Sequence, residues 1–282
     1  MFLHYLLAVS ALITDPYQET LYPEWVRTFA VEKVVHEEKT EMRDLVIFEN
    51  GQFGRVLALN GAIQLTEKDG FISHEMMTHV PILAHGQAKS VLILGGADGG
   101  LLREALKHES VEKIVLVEMD PTLIELSKEY FPNISEGAFD HPKAKVVIQD
   151  AAEYVKAAEE RFDIIICDRH DLMTAEFYAD CKRALHPNGI FVNRNGIPFL
   201  QKKELQISLK NRKPYFKNVQ FYVAAIPSCL GGFIAIGFAS DKKHKVSEKV
   251  LQERLVKVKE KMGYYTPGIH KGSFALPSYM LD

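Results

Sequence analysis

Several things are scarce in this 282-residue chain, and each scarcity narrows what it can be. It has three cysteines, Cys167, Cys181 and Cys229, far apart and without a CxxC pair. That spacing excludes a disulfide framework or a cysteine zinc site and fits a reducing, cytoplasmic compartment. No apolar run reaches the ~20 residues that a membrane span needs. The apolar start, Met1 to Ile13, lacks the Lys/Arg n-region of a signal peptide, so it is expected to pack on the body or on a partner subunit. There is no large excess of charge, with 34 Lys+Arg against 37 Asp+Glu and a formal net of −3, which excludes a polybasic nucleic-acid binder and an acidic disordered chain. No GxxxxGK[ST] phosphate loop is present, which argues against an NTPase. Repeats and low-complexity segments are missing too.

What remains has two regimes. From about Tyr17 to Glu67, short runs alternate apolar and polar residues: Thr28 to Val35, Asp44 to Phe48 and Arg55 to Leu59. Glu49-Asn-Gly51 and Asn60-Gly61 separate them, and Asn-Gly between apolar runs is a strong hairpin signal. Residues 1–67 therefore read as an N-terminal extension plus a small antiparallel β-domain, and 68–282 as a separate α/β catalytic domain. Phe71 to Ala84 has helical spacing, with Pro81 expected to kink or end it. After it, apolar strands alternate with amphipathic helices. Strands are expected at Val91–Leu94, Lys113–Glu118, Lys145–Ile148, Phe162–Cys167 and Ile190–Asn193. Helices are expected at Leu101–His108, Pro121–Tyr130, Ala151–Glu160 and Glu176–Leu185. Such strands between such helices imply a doubly wound, mainly parallel sheet covered on both faces. Val219–Ile226 and Gly232–Ala239 should finish it.

The chemistry concentrates at the strand ends. Val91-Leu-Ile-Leu-Gly-Gly-Ala-Asp-Gly-Gly100 runs from a strand through a glycine turn into a helix. Gly95, Gly96 and Gly99 permit a tight turn and close approach of a ligand to backbone. Glu118 ends the second strand, where an acidic residue accepts hydrogen bonds from ribose hydroxyls. Asp150 and Ala151 follow the third, placed to meet an adenine. Asp98 in the first turn would repel a pyrophosphate but welcome an ammonium, which points to S-adenosylmethionine or its decarboxylated form. Asp168 and Asp171 follow the fourth strand. With Asp98 they form an acid cluster, basic residues being spread elsewhere, that suits a cationic amine acceptor. Such an amine arrives protonated at a pKa of ~10.4 and must lose a proton to attack.

Other combinations carry less. His74-Glu75 and His79 imitate a zinc motif, but positions five apart lie about 140° apart on a helix. Asp168, His170 and Asp171 could ligate a metal, although a coupled His170–carboxylate pair is the simpler expectation. Cys167 should pack inside its strand. Lys242–Lys245 reads as a solvated turn and Lys257–Lys261 as a charged helix face.

On these residues the chain resembles the polyamine aminopropyltransferases, most closely the bacterial spermidine synthases, from about Tyr17 to Met280. The markers are His36-Glu-Glu-Lys-Thr40, Ile47-Phe-Glu-Asn50, Ile63-Gln64, His74-Glu-Met-Met-Thr-His-Val-Pro81, Gly95 to Gly100, Val117-Glu-Met-Asp120, Ile226-Pro-Ser228 and Phe274-Ala-Leu-Pro277. The resemblance implies a Rossmann-like catalytic domain of the class I methyltransferase type behind the β-domain, and a homodimer. It implies transfer of aminopropyl from decarboxylated S-adenosylmethionine, a co-substrate rather than a resident cofactor, to putrescine or a similar diamine. Asp98 would hold the aminopropyl amine, Glu118 the ribose, and Asp150 with Ala151 the adenine. Asp168 would accept the proton and Asp171 contact the amine, with Gln64 and His74 lining the amine pocket. No nucleic acid, membrane or metal is implied.

The departures are specific. Arg43 stands where the family has a nucleoside-contacting Gln, Ser73 where it has Tyr, and Ser228-Cys229 where it has Thr-Tyr. After Asp171 the chain is shorter by about seven residues than the family's gate, a device that excludes water and completes such sites. These departures keep two further readings open: an S-adenosylmethionine-dependent amine N-methyltransferase and a non-catalytic homologue.

Overall fold

The computed structural model describes residues 15–39 and 43–280; the Met1–Ile13 segment and Thr40 of the first family marker lie outside them. The described chain divides into two units, residues 15–70 with 228–230, and residues 71–227 with 231–280.

In the first unit, β1 (Tyr17–Glu19) pairs antiparallel with β2 (Arg27–Phe29). A four-stranded antiparallel meander follows: β3 (Lys33–Lys39), β4 (Asp44–Asn50), β5 (Gly54–Leu59) and β6 (Ala62–Thr66). The Asn-Gly signal works as expected. Asn60 and Gly61 take φ of 51° and 79°, both left-handed, so the two-residue turn matches the twist of its flanking strands. Between β4 and β5, Asn50 turns the chain by accepting the amides of Gln52 (3.0 Å) and Phe53 (2.9 Å). Residues 228–230 join this unit through Asp69. Its carboxylate accepts the Ser228 amide (2.6 Å) and hydroxyl (2.8 Å) as well as the Thr66 hydroxyl (2.6 Å).

The second unit opens with α1 (Gly70–His85). Pro81 neither ends nor interrupts it. Pro81 cannot donate to the Met77 carbonyl four residues back; separately, the Met76 carbonyl accepts the buried Tyr222 hydroxyl at 2.9 Å and fastens the helix to the body of the unit. The Rossmann-like alternation then runs β7 (Ser90–Leu94), α2 (Gly100–Leu106), β8 (Lys113–Glu118), α3 (Pro121–Tyr130), α4 (Pro132–Ser135), β9 (Ala144–Ile148), α5 (Ala151–Ala157), β10 (Phe162–Cys167), α6 (Ala175–Arg183) and β11 (Leu185–Arg194). The antiparallel finish is α7 (Lys202–Arg212), β12 (Asn218–Ala225) and β13 (Phe233–Ser240), before α8 (Glu248–Leu255) and α9 (Pro267–Gly272).

The sheet order is β12-β13-β11-β10-β7-β8-β9. The chain winds outward from β7 through β8 to β9, then returns to β10 on the other side of β7. That reversal between β7 and β10 is the topological switch point, and the crevice beyond the strand ends there is where such sheets bind ligands. Central strands are buried on both faces: Val91 to Leu94 and Ile164 to Cys167 are 0% exposed, Cys167 among them.

One expectation fails in the C-terminal part, and one helix there carries no sequence signal. Residues 257–261 are not a helix face: α8 ends at Leu255, the Lys259 amide donates to the Lys107 carbonyl (3.1 Å), and Lys107 pairs with Glu260 (3.2 Å). The segment is held by tertiary contacts, which charge spacing does not reveal. Helix α7 escaped the periodicity reading because its buried positions are Leu205, Ser208 and Arg212, two of the three polar. Ser208 is hydrogen-bonded with the Tyr178 hydroxyl (2.8 Å) and accepts from Asn195 (2.8 Å). The Arg212 guanidinium lies over the Phe221 ring at 4.7 Å, and burial pulls its pKa down to about 10.

Candidate active site

The register of the parallel strands assembles the site. Leu94 is paired with Val117 on one side and Cys167 on the other, and Cys167 with Asn193. The next residues of β7, β8, β10 and β11, namely Gly95, Glu118, Asp168 and Arg194, therefore emerge at one edge. Backbone bonds fasten that edge: the Gly95 amide donates to Val117 (2.9 Å), Asp168 to Leu94 (2.9 Å) and Gln149 to Glu118 (3.0 Å).

The first turn needs its glycines. Gly95, Gly96 and Gly99 have φ of 83°, 86° and 76°, a region that disfavours any side chain. At Gly99 a Cβ would also lie 2.6 Å from Ser135 and 2.7 Å from Phe139. The turn aims Asp98 inward. One carboxylate oxygen accepts the Gly100 amide (2.7 Å), the other meets His74 Nε2 (3.0 Å), and the His74 ring packs where a Gly100 side chain would stand. Burial works against charge on both partners. Their mutual attraction and hydrogen bond outweigh it, so His74 is raised above the ordinary histidine range and Asp98 held below the ordinary carboxylate range. Each partner thus favours the charged form of the other across the 3.0 Å contact.

Glu118 is 6% exposed, and one of its oxygens takes the amides of Met119 (2.8 Å) and Asp120 (3.1 Å). Burial nevertheless leaves its pKa raised. Asp150 caps α5 by accepting the amides of Ala152 (2.9 Å) and Glu153 (3.0 Å), with buried Ala151 opening the helix. Asp150 itself is exposed to solvent.

The loop from Asp168 to Thr174 corrects two expectations. The acid cluster is not free of basic residues. Arg194 Nε donates to Asp168 at 2.7 Å, and Arg169 grips both oxygens of Asp171 at 2.9 and 2.6 Å. The guanidinium attraction and hydrogen bonds depress the Asp171 pKa. No His170–carboxylate hydrogen bond forms among the described residues: His170 is exposed, and the arginine beside it takes the carboxylate. Arg169 also stretches over Gly95 towards Met119 Sδ (3.2 Å). The loop is pinned. Asn211 donates to the Met173 carbonyl (2.8 Å), Thr174 caps α6, and Leu172 and Met173 pack on the core beneath.

Histidine 79 turns away from this edge. It bonds to Glu104 (2.9 Å) and His108 (2.8 Å) in a buried cluster, so His74 and His79 serve different partners. Among the described residues no group of three or more His, Cys, Asp or Glu could hold a metal ion. In the first unit, Arg43 binds both oxygens of Glu38 through Nη2 (2.8 and 2.7 Å), and Gln64 stands exposed on β6. Sequence reasoning missed Arg194. The available signal was its place at the end of a fifth strand, after Asn193 on β11.

Comparison with known proteins matches residues 70–249 to a family model described as "Spermine/spermidine synthase domain" and residues 17–67 to one described as "Spermidine synthase tetramerisation domain". The chain is 46% identical over 275 residues to a polyamine aminopropyltransferase of Shigella sonnei (strain Ss046), covering 94% of this chain and 96% of that one. A namesake from Serratia proteamaculans (strain 568) is 48% identical over 273 residues, covering 94% and 95%. Among solved structures, a spermidine synthase in complex with the transition-state analogue AdoDATO superposes with a TM-score of 0.88 at 36% identity, covering 95% of this chain and 93% of that one. The Thermotoga maritima spermidine synthase gives 0.87 at 35% identity, with the same coverage.

Proposed function

The chain belongs to the spermine/spermidine synthase family, and from that premise we propose that it is a polyamine aminopropyltransferase. It moves aminopropyl from decarboxylated S-adenosylmethionine to a diamine such as putrescine, giving spermidine and 5′-methylthioadenosine. The observation that carries this reading is the Asp98–His74 pair in the glycine turn, one strand away from Asp168. An anionic seat for the aminopropyl ammonium and a carboxylate base for the acceptor thus stand at one sheet edge.

Glu118 binds the ribose, and Asp150 with Ala151 the adenine, across Gly95 and Gly96. Asp168 takes the acceptor's proton and Asp171 contacts the amine. His74 lines the amine pocket and, by its charge, keeps Asp98 ionised. Arg43 and Gln64 belong to the first unit. In the reaction the neutral acceptor nitrogen forms a bond to the methylene carbon next to sulfur. The carbon–sulfur bond breaks with its electron pair going to sulfur, and the proton passes to Asp168. The family model over residues 17–67 is named for tetramerisation, which supports self-association, with the expected homodimer as its smaller unit. Light scattering that gave a monomer would overturn that. Cytoplasmic residence accords with three free cysteines, two of them buried.

The purified protein is given putrescine with decarboxylated or intact S-adenosylmethionine, and the nucleoside product is identified. Methylthioadenosine is expected from the decarboxylated form. S-adenosylhomocysteine, or no product, would overturn the reading. Asp168→Asn is expected to lower kcat by about 10²–10⁴, the usual worth of a general base, while nucleoside affinity stays within about threefold.

A further inference from the structure

His79 is wholly buried, yet its partners are polar. Its Nε2 meets Glu104 Oε2 at 2.9 Å, and its Nδ1 meets His108 Nε2 at 2.8 Å. Glu104 is 1% exposed and also holds Arg103 (3.0 Å) and Lys107 (2.9 Å). Burial works against its charge, but the hydrogen bond and attraction of His79, joined by Lys107, hold its pKa at about 2. An ionised carboxylate only accepts, so the Nε2 of His79 carries a hydrogen. Burial and the neighbouring His79 push His108 well below the ordinary histidine range, so that ring is neutral. Carboxylate, imidazole and imidazole therefore form a directional row. A leucine would fill the same space with no preference for one register.

The row joins the two elements that carry the proposed seat for the aminopropyl ammonium. His74 and His79 lie on α1, about 7.5 Å apart along its axis. Asp98 sits in the turn before α2, and Glu104 lies about 6 Å along α2 from its first residue, Gly100. The His74–Asp98 and His79–Glu104 contacts thus run as two rungs between α1 and the α2 segment, advancing in the same sense on both. One rung fixes a point about which the turn can pivot, whereas two fix its direction. The geometry points to His79 as a positioning residue for aminopropyl transfer: by tying Glu104 it holds α2, and with it the Asp98 turn, where Asp98 meets His74. This inference rests on the aminopropyl-transfer reading and deepens it. Three acids face His74, namely Asp98 in the turn, Asp168 after β10 and Glu104 on α2, and the α2 segment carries two of them. A small misplacement of such a seat is felt steeply in binding and rate.

His79→Asn and His79→Gln separate the two contacts. An Asn amide nitrogen stands where Nδ1 does and can keep His108, while a Gln amide nitrogen stands where Nε2 does and can keep Glu104. Affinities for decarboxylated S-adenosylmethionine and methylthioadenosine are measured by calorimetry in wild type and both variants, with Asp98 intact and with Asp98→Asn. His79→Asn is expected to weaken decarboxylated S-adenosylmethionine about tenfold and methylthioadenosine by less than about twofold. His79→Gln should stay within about twofold of wild type for both ligands. Added to Asp98→Asn, His79→Asn should cost less than about twofold more, because the charge it positions is already gone. His79→Leu, which fills the space without polar atoms, should match His79→Asn and takes its place if that variant does not fold. The NMR midpoint of the His74 ring, read without ligand, should fall in His79→Asn and hold in His79→Gln. A merely structural loss would lower Tm and leave that midpoint where it was. Equal weakening of both ligands, His79→Gln as weak as His79→Asn, a full tenfold effect on top of Asp98→Asn, or an unmoved His74 midpoint would overturn the inference. Failure of the wild type to bind decarboxylated S-adenosylmethionine, or to release methylthioadenosine from it, would instead defeat the transfer reading, and the His74 midpoint would still decide the role of His79.

Discussion

Replacing Asp98 by Asn isolates the charge at the centre of the proposed site. The side chain keeps its shape, and its carbonyl oxygen can still accept the Gly100 amide now bonded at 2.7 Å. What is lost is the negative charge opposite the aminopropyl ammonium. Two unit charges about 4 Å apart interact by about 4 kcal/mol at the effective dielectric of a protein surface cleft. Part of that is not realised, because the ammonium must shed water. His74 gives back more: its protonation depends on Asp98, so the variant loses a positive charge along with the negative one. About 2 kcal/mol should remain, which is about a thirtyfold loss of affinity for decarboxylated S-adenosylmethionine. Methylthioadenosine has the same ring and ribose but no aminopropyl ammonium, and its affinity should change by less than about threefold. Calorimetric titration of both ligands into both proteins gives the four numbers required. If the two ligands weaken equally, Asp98 only shapes the turn. If neither weakens, the ammonium sits elsewhere. Either result refutes the assignment.

The His74–Asp98 pair also predicts a pH response. The folded pKa of His74 is raised, so its stabilising charge is fully present below pH 6.5 and is lost as pH rises through the folded value. The NMR titration of its ring should have a midpoint above 6.5 in the wild type and a lower one in Asp98→Asn, where burial is opposed only by the charges of Asp168 and Glu104. A wild-type midpoint at or under 6.5 would contradict the pair. Glu75 tests the frame around the site. Its buried carboxylate accepts the amides of Gly263 (2.6 Å), Tyr264 (2.8 Å) and Tyr265 (2.6 Å), tying the C-terminal segment to α1. Glu75→Gln puts an amide NH2 against those donors and should cost about 2–4 kcal/mol, a fall in Tm of about 5–10 °C. A fall under about 2 °C in a thermal melt would show that the backbone finds other acceptors.

Much of the fold was legible because its signals are local. Lys113–Glu118, Pro121–Tyr130 and Phe162–Cys167 begin and end where apolar runs, a first-turn proline and flanking polar residues place them. Pro81 misled because the helix around it is held by tertiary packing, with Met76, Met77, Val80, Ile82 and Leu83 at most 3% exposed, and that packing outweighs one missing hydrogen bond. Helix α7 was hidden because burial of Ser208 and Arg212 is made tolerable largely by Tyr178, Asn195 and Phe221, which lie outside the helix.

The same division holds for the site. By itself the sequence determined which residues end each strand, that glycines must form the first turn, and that acids gather after the first, second and fourth strands. These follow from backbone sterics, side-chain period and the chemistry of single residues. Only the tertiary structure decided which of these ends adjoin, because β10 returns to pair with β7 on the side opposite β8 and β9, and no local pattern encodes that crossover. It also decided the electrostatics. Asp168 looked like an open anion until β11 came alongside and delivered Arg194, and an ion pair between strands depends on register, which belongs to the sheet and not to either strand.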